Sequence, residues 1–376
     1  MKRLFLVLLV AVAGTACSHE DAGGQSVPPS PQKGPEVPPS AAAAFTVNVA
    51  GLRLREQQGP DAPVIRSLQQ GEQLYDLQQV SDYTTQITLR GITFDEPWLK
   101  VRTEQGEIGW VYGGALHADL GGGDDTYQKL LHKRLTTLFG PALRDSIVQY
   151  RQSFSDAATD RALAEVYARG LRIRDALEQP LRQQIAVPDP AQLPDLFWLE
   201  QVMPAFQPTL VAEGTAYVLF ADFREWSDKA SRTEGRSDDA FFRVAIQHFP
   251  EDSVAYFYPV YFLQTWDYGG HSLLGRGHHL HLLTELEQLQ RTGKGYFATA
   301  IRSFTQNLVN DMTSANVTYW ESAEAIVQEL TQILDRQWTV LTQADRIALQ
   351  TRLKQFRNPQ RYGLETGYAL GKYETN

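Results

Sequence analysis

The hydrophobic pattern of this chain changes period once, at "DLGGGDD" over residues 119–125. From 45 to 118, apolar residues come in short runs broken by glycines. From 124 to 376 they recur at helical spacing. A period of two buries one face of a sheet, and a period of 3.6 buries one stripe of a helix. One layer type cannot satisfy both. The expected fold is therefore multidomain: a small all-β barrel over 45–118, followed by a large mainly α-helical domain over 124–376. The glycines and acids of 119–125 suit the boundary between them.

Within the first part, "FTVNVAGLRLRE" sets Val47 and Val49 out of phase with Leu52 and Leu54. That reads as two short strands, or as one strand with a bulge at Ala50–Gly51. "GPDAP" at 59–63 is a turn, and Gly71 is a corner before Leu74 and Leu77. Trp98 and Val101 on one side and Trp110–Val111 on the other flank "TEQGEIG", a polar hairpin. Many short strands joined by glycine turns make a small barrel.

The sequence Leu52 to Glu56, then Trp98 to Arg102, Gly106, Gly109 to Val111, Gly113–Gly114 and Leu116 resembles the bacterial SH3 (SH3b) family. The resemblance implies an SH3-like barrel and a ligand drawn from cell-wall peptide or glycan. Trp98, Trp110 and Tyr112 would then offer a stacking surface, with barrel core as the alternative for the tryptophans. The stretch Val80–Pro97 is longer than the family pattern and reads as an extended hairpin or loop.

The second part offers a series of helices. Tyr127, Leu130, Leu131, Leu135, Leu138 and Phe139 share one helical face, with a stop at Gly140–Pro141. A long amphipathic run over 158–185 is interrupted at Gly170 and Pro180. Further helices are expected over 195–206, 216–231, 238–248, 253–267, 277–291, 296–313, 318–336 and 343–357. Ser237 reads as a cap, and "TQAD" at 342–345 as a capping-box start. No fixed repeat marks a solenoid.

The first 44 residues are of another kind. Lys2 and Arg3, the apolar run Leu4 to Ala13 and the small residues Gly14, Thr15 and Ala16 have the layout of a secretory signal. The single cysteine of the chain, Cys17, follows directly. This resembles the lipobox of bacterial lipoproteins, which implies a signal peptide over 1–16, lipid on Cys17 and membrane contact through that anchor. An ordinary signal with an incidental cysteine is the alternative. Residues 17–44, rich in Pro, Ser, Gly and Ala, read as a disordered linker. Glu20 and Asp21 resemble a surface-export tag of some envelope lipoproteins. The expected location is the bacterial cell envelope, at the outer membrane, with the periplasmic or surface side left open.

Chemistry is bounded by the same residues. A net charge of −9 argues against nucleic acid as partner. With its only cysteine at 17, the chain cannot be a cysteine peptidase of the kind that accompanies SH3b domains. Four of eight histidines lie between His271 and His281. His248-x-x-x-Asp252 and His279-x-His281 resemble the ligand motifs of zinc endopeptidases that cut wall crosslinks. On a helix, however, positions i and i+2 face apart, so His279 and His281 should diverge. The histidines are expected at the helix start or the surface, with no metal and no cofactor. Asp238 and Asp239 read as partners of a helix dipole rather than as catalytic acids. The aromatic run 256–268 reads as core, with a pocket lining as the alternative. The leading expectation is a non-catalytic binding protein with no catalytic residues. The alternative is an envelope hydrolase with a site near His271–His281.

Overall fold

The alternation along the first part resolves into seven strands: β1 (Phe45–Val47), β2 (Leu52–Arg55), β3 (Val64–Leu68), β4 (Gln73–Leu89), β5 (Ile92–Thr103), β6 (Ile108–Tyr112) and β7 (Leu116–Ala118). They form one antiparallel sheet in the order β3-β2-β6-β5-β4-β1-β7. The sheet curls into a half-barrel around Phe45, Leu54, Leu74, Leu99, Val101 and Val111, all buried. This computed structural model describes residues 45–118, 125–185, 196–211, 216–250, 258–265 and 269–368. Cys17, the linker, Glu20 and Asp21, the boundary residues 119–124 and Asp252 lie outside them.

Local chemistry explains the curl. A Cβ on Gly109 would sit 2.7 Å from the Arg55 carbonyl oxygen and 2.8 Å from Leu54. Only glycine lets β6 cross β2 this closely. The long segment 80–97 is a hairpin: β4 and β5 pair from Leu74↔Thr103 to Leu89↔Ile92. The register shifts at Asp76/Gln79 and at Val80/Thr84. Such bulges bend and twist a ribbon. The hairpin tip, Arg90–Gly91, has φ of 47° and 80°. Both central positions are thus positive, as a type I′ turn requires.

Helices follow from Asp125 on. α1 (Asp125–Asp156) bends at Gly140, whose φ of 78° is non-helical, and resumes through Pro141. The sequence signal for a stop is thus a kink within a longer helix. Pro141 is tolerated because it opens the second segment, where its missing N–H costs nothing. α2 (Asp160–Gln184) starts at Thr159, whose side chain accepts from the Ala162 N–H, and runs unbroken through Gly170 and Pro180. Its inward residues Leu163, Val166, Tyr167, Gly170, Ile173, Leu177 and Leu181 keep the three-four spacing of one face.

Two expected helices contain strands. Where 195–206 and 216–231 suggested helix, the chain forms α3 (Phe197–Val202), then a hairpin of β8 (Phe206–Val211) and β9 (Ala216–Ala221), then α4 (Phe223–Ala230). Phe206 packs edge-on against Tyr150 at 5.9 Å and Trp226 at 6.0 Å. Tertiary burial therefore decides what the short apolar runs left ambiguous. α5 (Ser237–His248) begins at Ser237 itself, and no side chain caps it at Arg236. The described part of 253–267 is irregular chain and a strand, β10 (Phe262–Gln264), paired with β11 (Gly270–Ser272). α6 (His278–Thr292) and α7 (Ala298–Thr313) stand as expected. β12 (Thr318–Tyr319), parallel to β11, precedes α8 (Ala323–Leu334). α9 (Gln343–Phe356) opens with a complete capping box between Thr342 and Asp345, the shorter acid serving as well as glutamate.

The half-barrel and the helices share one apolar cluster. At their junction Arg134 of α1 donates to both oxygens of Glu96 of β5, Nε to Oε1 at 2.6 Å and Nη2 to Oε2 at 3.2 Å. Both side chains are 1% exposed. The guanidinium also lies 5.0 Å from the Phe94 ring and 5.3 Å from the Trp198 ring. Among the described residues no helix is long and apolar enough to cross a membrane.

Candidate functional site

The bent β4–β5 hairpin leans over the β1–β2 corner, and the space between them is a groove of about 910 Å³. Val49 and Leu52 line one wall and Ile87 and Leu89 the other. Trp98 and Tyr112 form the floor, each 3% exposed. Three arginines, Arg53, Arg55 and Arg90, complete the lining.

The floor is held from within. Trp98 donates its indole N–H to Thr85 Oγ1 at 2.9 Å, and its backbone N–H to Ser81 Oγ at 2.9 Å. The Tyr112 hydroxyl donates to the Thr85 carbonyl oxygen at 2.8 Å and lies 3.1 Å from that of Phe94. The two rings meet edge-on at 5.7 Å, an arrangement their quadrupoles favour. Burial holds the Tyr112 hydroxyl well above the ordinary phenol range, so it stays protonated. Trp98 and Tyr112 thus line the groove with their rings while their polar tips are taken up by the hairpin. Trp110, half-buried on β6, lies outside the groove lining, with Lys100 Nζ 5.9 Å from its ring.

This curled sheet carries the tryptophan and glycine positions quoted above, and residues 50–117 match the family model described as bacterial SH3 domain. That span is a bacterial SH3 domain. It covers less than a fifth of the chain. No curated protein and no solved structure matches the chain significantly. The groove belongs to the SH3 domain, and its second wall is the hairpin that exceeds the family pattern. Trp98 and Tyr112, expected as a stacking surface, are packed into the barrel core at the base of the groove, and sequence reasoning did not single out the arginines. Arg53 and Arg55 share β2, where the register shifts between Leu54 and Arg55, and nothing in the sequence joined Arg90 to them.

The histidines of the helical region form a different arrangement. His279 is 0% exposed, and its Nε2 lies 2.8 Å from Asp311 Oδ2. The same oxygen accepts from Ser272 Oγ at 2.5 Å, and Ser272 is equally buried. The carboxylate therefore stands between serine and imidazole. A nucleophile needs its base on the hydroxyl, with access for substrate. This unit instead ties β11, α6 and α7 together. His281 is exposed on α6, so the two rings diverge as the helical phase requires. His279 stands at the helix start, one of the two places expected, but its side chain is interior. His271 sits on β11 with Nδ1 2.8 Å from Thr318 Oγ1, and His278 opens α6. Glu329 of α8 caps that helix start, accepting from the N–H groups of Gly275, Gly277 and Leu280 at 2.6, 3.0 and 3.0 Å. It satisfies donors that the first turn of a helix leaves without an internal partner. Among the described residues no group of three His, Cys, Asp or Glu is placed to hold a metal. Asp238 and Asp239 occupy the first turn of α5, and Asp238 accepts from Thr233 Oγ1 at 2.6 Å.

The contrast between the two neighbouring histidines is measurable. His279→Ala leaves Asp311 short of a buried partner, and should lower stability by about 1–3 kcal/mol. His281→Ala should change it by less than about 0.5 kcal/mol. Denaturant midpoints of the two variants check the difference.

His248, 1% exposed on α5, rests 4.7 Å from the Phe304 ring and 6.2 Å from Tyr261. Burial, then the fields of His279 and His281, push its pKa down to about 3. A histidine neutral in the fold and protonated in the unfolded chain makes the unfolded state bind more protons between the two pKa values. Stability then falls as pH drops from about 6.5 toward 3, by up to about 1.4 kcal/mol per pH unit. Glu72, Glu287 and Asp345 are all held below the ordinary carboxylate range. They add slope in the same direction only below about pH 4.5. His278, held below the ordinary imidazole range first by burial, adds slope of the same sign. Unfolding free energies measured from pH 6.5 to 5 should therefore lose part of their slope in His248→Phe, and the rest only when His278 is replaced as well. An unchanged slope in that window refutes the assignment to His248.

Proposed function

We propose that this protein is a lipoprotein of the bacterial cell envelope, held to the membrane through Cys17. Its SH3 domain binds cell-wall peptide or glycan in the groove between the β1–β2 corner and the β4–β5 hairpin. The observation that carries the reading is the SH3 match over residues 50–117, a module that often binds cell-wall components. The groove supports it with a size at the upper end of ligand sites and with mixed apolar and cationic walls. Positive, apolar and small residues directly before a lone cysteine support the anchor. Several acyl chains bind a bilayer far more firmly than one. Residues 17–44 serve as the tether, and 45–118 and 124–376 as the two domains it carries.

Two experiments test this. The full chain should cosediment with purified wall sacculi and stay in solution with cellulose. Failure to sediment with sacculi refutes the wall-binding reading. Cys17→Ser should move the protein from the membrane fraction to the soluble fraction with its circular dichroism unchanged. Persistence in salt-washed membranes refutes the lipid anchor.

A further inference from the structure

Many arginines of this molecule pair with acids, and buried Arg352, which among the described residues does not, donates instead to the Ser314 carbonyl oxygen, the Tyr319 hydroxyl and Gln355. Arg66 pairs with Glu72 and Glu107, Arg134 with Glu96, Arg276 with Glu321 and Arg302 with Asp345. In the groove this pairing stops. Arg55 is 8% exposed and donates to the Ala62 carbonyl oxygen, and its guanidinium carbon lies 5.9 Å from the Trp98 ring. Among the described residues no carboxylate pairs with Arg55, Arg53 or Arg90. A buried cation without a counter-charge is costly, and an arriving anion recovers that cost. The surroundings are net positive: burial and Arg53 lower the Arg55 pKa, and Asp61 opposes them only in part.

Arg90 is the second, independent sign. It holds a φ of 47°. That left-handed conformation favours Gly, Asn or Asp and strains a long side chain. Asn at this place would suit the turn better. Arg90 thereby adds a third arginine to the lining of the groove, from the hairpin rather than from β2. The chain as a whole carries a charge of −9, so this cationic lining is local.

We propose that the groove captures the free carboxylate of a peptide, with Arg55 as the fork and Arg53 and Arg90 flanking it. The inference rests on the reading of this groove as the ligand site of the SH3 domain, and names what that ligand must present. Planar guanidinium matches a carboxylate in two parallel hydrogen bonds. The groove of about 910 Å³, walled by Ile87, Leu89 and Val49, exceeds what a lone ion fills. It suits several peptide residues behind the charged end.

The test uses full-length protein and calorimetric titration with acetyl-tetraalanine, its C-terminal amide, glucuronate and inorganic phosphate. The acid peptide should bind at least about tenfold tighter than the amide, because a charge-assisted pair is lost. It should also exceed glucuronate and phosphate, which lack the peptide body. Arg53→Gln with Arg90→Gln, both away from the core, should abolish most of the acid-over-amide preference. Arg55→Lys, which keeps the charge and loses the fork, should reduce it. Equal binding of acid and amide, no binding of either, a preference unaffected by the arginine changes, or tighter binding of phosphate or glucuronate each overturn the proposal. Sedimentation with sacculi reports separately. Sacculus binding without carboxylate preference refutes this inference alone. Carboxylate preference without sacculus binding refutes the wall reading alone.

Discussion

Glu96→Ala should lower the unfolding free energy of the whole chain by about 3–5 kcal/mol, the usual cost of leaving one charge of a buried ion pair without its partner. The setting makes the full cost apply. Both side chains are 1% exposed, and Arg134 is enclosed by the Phe94 and Trp198 rings, so water cannot replace the lost carboxylate. Arg134→Ala should cost a similar amount through the stranded carboxylate. The double variant Glu96→Leu with Arg134→Leu should recover much of the loss, since apolar groups of similar volume often replace a buried pair at little cost. Chemical unfolding of the three variants is compared with that of the parent, and adding Glu96→Ala with Arg134→Ala closes a double-mutant cycle. A single-variant loss below about 1 kcal/mol, as for a surface pair, would refute the burial argument. Cutting the chain between 118 and 125 would expose this same pair, so a half-barrel produced alone should carry part of the penalty.

The second large effect is expected at Trp226. Its ring stacks on Phe242 at 5.4 Å and meets Phe154, Tyr167 and Phe206 edge-on at 5.2, 5.1 and 6.0 Å. It joins α1, α2, α4, α5 and the β8–β9 hairpin. Its side chain is fully buried. Trp226→Ala removes it from an aromatic cluster that cannot collapse onto the gap, and should cost about 3–5 kcal/mol. Trp226→Phe should cost much less than Trp226→Ala. The indole N–H finds no acceptor among the described residues, so its removal breaks no hydrogen bond. Urea midpoints at constant slope distinguish the two outcomes. Near-equal losses in both variants would show that a hidden polar contact, not packing, holds the ring.

How far the sequence carried depends on how local each signal is. The SH3 half-barrel was legible because Gly106, Gly109 and the tryptophans sit at short, fixed separations along strands. The long hairpin 80–97 was legible as an insertion, but its bulges and therefore its lean over β2 were not. The β8–β9 hairpin was missed because "FQPTLV" and "AYVLFA" are short apolar runs whose period does not separate strand from helix. Pro208 fits the hairpin because a two-stranded ribbon has a free side where its missing N–H is harmless. In the site, the family pattern pointed to Trp98 and Tyr112, which the fold buries in the barrel core beneath the groove. Arg55 was not singled out, because an unpaired charge is a property of what surrounds it, and that is fixed only when 55, 90 and 98 come together. His279 was misplaced for the same reason: its partner Asp311 is 32 residues away.

The half-barrel opens and closes on neighbouring strands. β1 lies between β4 and β7, and Phe45, its first residue, pairs with Ala118, the last residue of β7. The chain therefore enters and leaves the domain at the same end of one antiparallel pair. Tension applied along the backbone, from the N-terminal side of Phe45 to the C-terminal side of Ala118, loads that pair from one end. The strands part like a zip, one rung after another, and never share the load in shear. Phe45↔Ala118, Thr46↔His117 and Val47↔Leu116 would open in that order, at low force, with β4, paired to β1 at Phe45 and Thr46, the other strand loaded from the start. A module with this geometry gives way first at its own doorway, and a ligand seated between β2 and the β4–β5 hairpin is out of the line of that force.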